Sequence, residues 1–166
     1  MSEFAETEAG IRQLHARYVD AVWRKDAQAF GECFLADGEW RIAGMVLQGR
    51  DAITATIARI LGSANRILMT FQSPILALES AGRASARTYV TEQCSWADGR
   101  TNLNIGRYYD RFAFVDGQWR FEWRLFQALY TGPSDLTGQW FDEPDFGPPP
   151  GMPPLDTLPP PPRSLP

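Results

Sequence analysis

Twelve of the thirteen prolines of this 166-residue chain lie beyond residue 132, and the other is Pro74. Proline lacks an amide donor and fixes φ, so it interrupts helices and central strands. Regular structure is therefore expected within residues 1–132, as one core of ordinary domain size, and an extended or polyproline-like tail in residues 133–166. The first half of that tail carries Leu136, Trp140, Phe141 and Phe146. A solvated linker has no use for such side chains, so this half is expected to lie against the body and the last dozen residues to be looser. A proline-motif ligand for a partner protein is the alternative reading.

The net charge of −4 originates in the tail, where Asp135, Asp142, Glu143, Asp145 and Asp156 stand against Arg163 alone; residues 1–132 hold 15 acidic and 15 basic side chains. A neutral body without a basic run argues against nucleic acid and anionic membrane surfaces, since both require clustered cations. No apolar run approaches the roughly 18 residues of a membrane span, and the acidic MSEFAETEAG start lacks the apolar core of a secretion signal. A cytoplasmic protein is expected. Cys33 and Cys94 form neither a disulfide framework nor a zinc pattern. No P-loop, GxGxxG, GxSxG or Cys-His pairing occurs, so no cofactor and no metal are expected.

Within the body the hydrophobic period changes once. Ile11, Leu14, Tyr18 and Val22 predict a helix over residues 6–24. Asp26 as N-cap, with Phe30 and Phe34, predicts a short helix over 26–34. Short strands at 39–43 and 45–47 follow an Asp37-Gly38 turn, and Ile53, Ile57, Ile60 and Leu61 predict a third helix over 50–62. Beyond it the pattern has the strand period, cut by turns at Gly82, Gly99 and Gly117 into long strands at 66–78, 84–96, 101–114 and 118–130. Tight turns imply an antiparallel meander, and strands of this length must twist and curve. The expected class is α+β: three N-terminal helices in a strongly curved antiparallel sheet, shaped as a cone with a pocket at one end.

Several strings in this order, YVDAVWRKDAQAFGECFLADGEW, QGRDAI, RTYV and DGQWRF, resemble the SnoaL-like branch of the NTF2-like superfamily over residues 5–132. That branch includes scytalone dehydratase, hexachlorocyclohexane dehydrochlorinase, ketosteroid isomerase relatives and polyketide cyclases. The resemblance implies a cone fold and a small hydrophobic substrate. Dehydratase and dehydrochlorinase members use an Asp near the end of the first helix and a His at the start of the first long strand. The matching positions here hold Trp23 and Met69 or its neighbour Thr70, and none of these accepts a proton. Those mechanisms cannot simply be carried over, and fold alone does not decide function.

Other polar residues must carry any chemistry. Glu92 lies mid-strand with the parity of Ala86, Thr88 and Val90. It is either a base whose proton affinity is raised by burial or a solvent-facing carboxylate. Tyr18 either donates to a developing oxyanion or is a core aromatic with a wet tip. His15, the only histidine, is a candidate base or a helix-flank side chain. Asn104 and Tyr108 share one face of their strand and are expected to orient a substrate oxygen, with Gly106 between them making room or bending the sheet. Arg124 matches a pocket position in dehydrochlorinase-like relatives, where it would anchor an anion or pair with Glu92; surface charge is the competing reading. Trp23, Trp40, Met69 and Gln127 complete the expected substrate-binding set, with Tyr130 as a weaker candidate. Arg107, Tyr109, Arg111 and Arg120 are expected to line a homodimer face.

Two functions follow. One is a cofactor-independent lyase or isomerase acting on a small hydrophobic, aromatic alcohol or ketone, with the γ-formaldehyde lyases of lignin-dimer catabolism, which act on diaryl propanediols, as the resemblance within that class. The other is a non-enzymatic small-molecule-binding or dimerisation module.

Overall fold

A computed structural model describes residues 2–142 and Phe146. The first helix, α1 (Glu3–Arg24), begins where the Ser2 hydroxyl accepts from the Ala5 amide at 3.3 Å and ends at Lys25, whose left-handed backbone (φ 56°) returns its N–H to the Ala21 and Val22 carbonyls. Its buried stripe is Thr7, Ile11, Leu14, His15, Tyr18, Ala21 and Val22. Asp26 caps α2 (Ala27–Glu32), accepting from Ala29 N at 2.9 Å. After β1 (Phe34–Ile42) and β2 (Met45–Gln48), α3 (Arg50–Ser63) buries Ile53, Thr56, Ile57 and Leu61.

The strands that follow are β3 (Ala64–Phe71), β4 (Ile75–Ser80), β5 (Arg83–Trp96), β6 (Thr101–Val115), β7 (Gln118–Gly132) and β8 (Gln139–Trp140). They form one sheet in the order β2-β1-β7-β6-β5-β3, with β4 also on β5 and β8 on β7. Helices and inner sheet face share one core, in which Phe30, Phe34, Phe112 and Phe121 are fully buried.

The architecture is an α+β cone with a curved mixed sheet, which corrects the antiparallel expectation. β1 runs parallel to β7, and the long excursion through α3 and β3–β6 supplies the crossover that a parallel pair requires. The single strand expected over 66–78 is two pieces. Gln72–Pro74 interrupts it, and β3 and β4 pair with opposite halves of β5. The Asp37-Gly38 pair is not a turn before a strand. It lies inside β1, which starts at Phe34 and shifts register between Phe34 and Glu39.

The expected patch for assembly is exposed only in part: Arg111 and Arg120 are half-buried, and the other two residues are buried. Arg107 and Tyr109 are 1% and 0% exposed, Arg107 donates to Gln127 Oε1, and Arg120 donates to the Glu32 and Val115 carbonyls. In the tail, Trp140 packs on Tyr130 with ring centres 4.8 Å apart, Phe141 N donates to the Leu129 carbonyl, and the Phe146 ring lies 5.6 Å from the Arg41 guanidinium. The looseness expected for the last dozen residues concerns positions outside the described ones. No helix among the described residues is long and apolar enough to cross a membrane.

Candidate active site

A cavity of about 280 Å³ opens inside the cone. Tyr18 and Val22 of α1, Phe30 of α2 and the α3 residues Ile57, Ile60 and Leu61 form one side; Trp40, Met69, Glu92, Asn104, Tyr108 and Phe126 face them from the sheet. Inner strand parity places Glu92 there: Ala84, Ala86, Thr88 and Val90 of β5 are buried on the same face. Glu92 itself is half-buried and lines the cavity.

Asn104 Nδ2 donates to Glu92 Oε2 at 3.2 Å. Glu92 Oε1 has no hydrogen-bond partner among the described residues, yet is not sealed off from the cavity. Burial pushes the Glu92 proton affinity above the usual carboxylate range, and the Asn104 hydrogen bond and the Arg124 charge oppose that push without cancelling it. The hydroxyls of Tyr18 and Tyr108 meet at 3.3 Å. Burial raises the pKa of both phenols, so both hold their protons at neutral pH, and with one hydroxyl donating to the other the pair keeps one proton to donate.

Arg124 lies beneath the tyrosines, its guanidinium 3.7 Å from the Tyr108 ring centre, 3.9 Å from Phe121 and 4.5 Å from Tyr18. It pairs with Asp110, not with Glu92: Nε donates to Oδ1 at 2.7 Å and Nη2 to Oδ2 at 2.9 Å, both residues being 0% exposed. Burial works against its charge, and Asp110 and the two tyrosines together more than offset that. Simple alternation in β7 would have turned Arg124 to the same side as Arg120. Glu122 is an extra residue opposite β6, where Arg111 pairs with Trp123 and Phe112 with Phe121, and this bulge turns Arg124 inward.

His15 stands behind this layer, outside the cavity lining. It stacks on Phe71 at 4.8 Å, and its Nε2 lies 3.8 Å from Asp110 Oδ2, beyond hydrogen-bond reach. Burial lowers its pKa below the ordinary 6.5.

The sequence-derived candidates thus separate. Tyr18, Trp40, Met69, Glu92, Asn104 and Tyr108 line one cavity, and Arg124 supports it. Trp23 does not: it is 51% exposed and lies under the Arg66 guanidinium. Gln127 is buried on the opposite face with Arg107, and Tyr130 holds the tail, donating to the Pro133 carbonyl and accepting from Gly138 N. Asn104 has no free donor for a substrate oxygen, because its Nδ2 already donates to Glu92 Oε2 and to Cys94 Sγ. Asp110, Phe126 and Trp96 were not singled out from sequence; the parity of Asp110 with Tyr108 was the available signal. Among the described residues there is no group of three or more His, Cys, Asp or Glu able to hold a metal ion.

Comparisons with known proteins agree with this fold. No curated protein matches the chain. Solved structures do: a scytalone dehydratase-like protein from Novosphingobium aromaticivorans DSM 12444 superposes with TM-score 0.73 at 21% identity, covering 78% of this chain and 87% of that one. The hexachlorocyclohexane dehydrochlorinase LinA-type3 from Novosphingobium barchaimii LL02 gives 0.70 at 17%, covering 82% and 94%. Rv3472(D26N), a protein of unknown function from Mycobacterium tuberculosis, gives 0.68 at 25%, covering 76% and 77%. The model of the SnoaL-like domain matches residues 3–124, which is most of the chain, so this protein belongs to the SnoaL-like domain family.

Proposed function

We propose that this protein is a cofactor-independent lyase or isomerase that removes a proton from carbon next to a carbonyl in a small, hydrophobic, ring-containing ketone or hydroxyketone. The observation that carries this reading is the juxtaposition, in one apolar cavity, of a carboxylate with one free oxygen and a pair of protonated phenols. Glu92 Oε1 takes the α-proton. The C–H electron pair becomes the C=C π bond of an enolate, and the carbonyl π pair moves onto oxygen, which Tyr18 or Tyr108 stabilises by donating a hydrogen bond. The enolate then either regains the proton from Glu92 at the γ-carbon, where the substrate carries a β,γ double bond conjugated with it, an isomerisation, or expels a β-hydroxyl as water using that same proton, a lyase reaction. Arg124 lends positive charge beneath the phenols.

Size narrows the substrate. A cavity of about 280 Å³, filled at an interior packing density of about 0.74, holds roughly 200 Å³ of ligand, on the order of a dozen non-hydrogen atoms. One ring or two fused rings fit that volume, and a diaryl propanediol exceeds it. The dehydratase and dehydrochlorinase names carried by structural neighbours are consistent with elimination chemistry. We further propose a cytoplasmic homodimer, supported by the exposed Leu68, Ile75 and Leu78 on the edge strands β3 and β4.

Trp23 and Met69 at the positions of the familiar Asp-His pair favour the second reading, a binding module without turnover. Deuterium incorporation from D2O into 2-tetralone separates the two. The wild-type protein should accelerate exchange, Glu92→Gln should lose at least about 10²-fold, and Tyr18→Phe a smaller factor. Tight binding of the ketone with exchange no faster than in buffer would support the binding module; full exchange by Glu92→Gln would place the base elsewhere.

A further inference from the structure

The cavity residues do not account for one chain of hydrogen bonds at the ends of the long strands. Trp96 Nε1 donates to Asn102 Oδ1 at 2.6 Å, Asn102 Nδ2 to Asn104 Oδ1 at 2.7 Å, and Asn104 Nδ2 to Glu92 Oε2 at 3.2 Å. Thr131 Oγ1 adds a second donor to Asn104 Oδ1 at 2.8 Å. An amide side chain by itself can present either its oxygen or its nitrogen, but an indole N–H can only donate. With Trp96 at the head, Asn102 must turn its oxygen toward the indole and its nitrogen toward Asn104, and Asn104 must then present its nitrogen to Glu92. Reversing either amide would set donor against donor at Trp96 or acceptor against acceptor at Glu92.

Resting on the reading of Glu92 as the base, we propose that Trp96 is a positioning residue that acts through Asn102 and Asn104 to hold an N–H donor on Glu92 Oε2, leaving Oε1 as the oxygen that takes the substrate proton. A donor fixed on Oε2 cannot accept from it. A protonated Glu92 therefore carries its proton on the oxygen that faces the cavity, from which it can be returned to the substrate. The relay also favours the ionised carboxylate, opposing the effect of burial. The other titratable or charged groups facing Glu92 are Tyr18 from α1, Tyr108 from β6, Arg124 from β7 and Cys94 on its own strand. Burial raises both phenols, and the Cys94 thiol is pushed up to about 12, so around neutral pH these groups keep fixed charge states. Residues contributed by α3, β1 and β3 to the cavity are uncharged.

The test is a titration of the Glu92 side-chain carboxyl, followed by carbon-13 NMR and assigned by the signal missing from Glu92→Gln. Trp96→Phe keeps an aromatic ring and removes the donor. It should raise the Glu92 midpoint, a roughly three- to tenfold gain in proton affinity, and Asn104→Ala should raise it at least as much. In an Asn104→Ala background the Trp96→Phe change should have no further effect, because the relay is already cut. Asn102→Ala, at a part-exposed position, breaks the same chain without touching the indole and should shift the midpoint upward too. An unchanged midpoint in Trp96→Phe and Asn102→Ala, or an equal shift from Trp96→Phe with and without Asn104, overturns the relay. Failure of the base reading has a different signature: a wild-type midpoint within the ordinary carboxylate range.

Discussion

Arg124 and Asp110 are fully buried ions, and each depends on the other. A guanidinium enclosed by Tyr108, Phe121 and Tyr18 has lost its water, and the two hydrogen bonds to Asp110 replace it. Asp110→Asn removes the countercharge and leaves the cation in place, so it should cost about 3–5 kcal/mol of unfolding free energy. Denaturant titration measures this directly, and a loss within the range of a surface substitution would mean that the aromatic faces alone carry the charge. Glu92 was legible in the sequence because its parity neighbours Ala86, Thr88 and Val90 are small or apolar, which marks an inward face. The Arg124–Asp110 pair was not. The β7 alternation points Arg124 outward until Glu122 is counted as a bulge, and a bulge is a property of two strands together. Trp23 misled for a related reason: matching a family position says where the backbone runs, and a bulky indole at the end of α1 leaves that position for solvent and Arg66.

Among the elements, β6 shows how strand detail sets the cavity. Gly106 was expected to make room or to bend the sheet, and the room it makes is for Phe126. A Cβ added there would lie 2.2 Å from Phe126 Cε2 and 3.2 Å from the Gln127 carbonyl oxygen. Phe126 packs on Tyr108 with ring centres 5.1 Å apart and lines the cavity. Gly106→Ala should therefore force this ring toward the cavity, destabilise the fold by about 1–3 kcal/mol, and weaken 2-tetralone binding in a calorimetric titration. Unchanged affinity would show that the ring yields in another direction. Strand limits were readable near Gly82, Gly99 and Gly117, whose positive φ values of 71°, 87° and 74° suit turns. The parallel pairing of β1 and β7 was not readable. The two strands lie far apart in sequence, and no local pattern records which edge a short N-terminal strand joins.

At the scale of the molecule, two buried titrating groups pull stability in opposite directions with pH. Burial holds His15 neutral below the ordinary 6.5, so the unfolded chain takes up a proton first and stability falls as pH drops through that range. Glu92 has the reverse sign. Its affinity is raised above the ordinary 4.5, so between that value and the raised one the folded state holds a proton that the unfolded chain has released. Its contribution is fully present below 4.5 and is lost as pH rises through the folded value. Above 4.5 the unfolded chain ionises this side chain freely while burial in the apolar cavity opposes its charge, a cost that a general base requires and a structural residue would not. Comparing the unfolding free energy of the wild-type protein and Glu92→Gln by denaturant titration across this range measures that cost directly. The glutamine variant should be the more stable at neutral pH, with the difference shrinking as pH falls toward 4.5. Equal stability at both ends, or a more stable wild type at neutral pH, would contradict the assignment of Glu92 as a buried base.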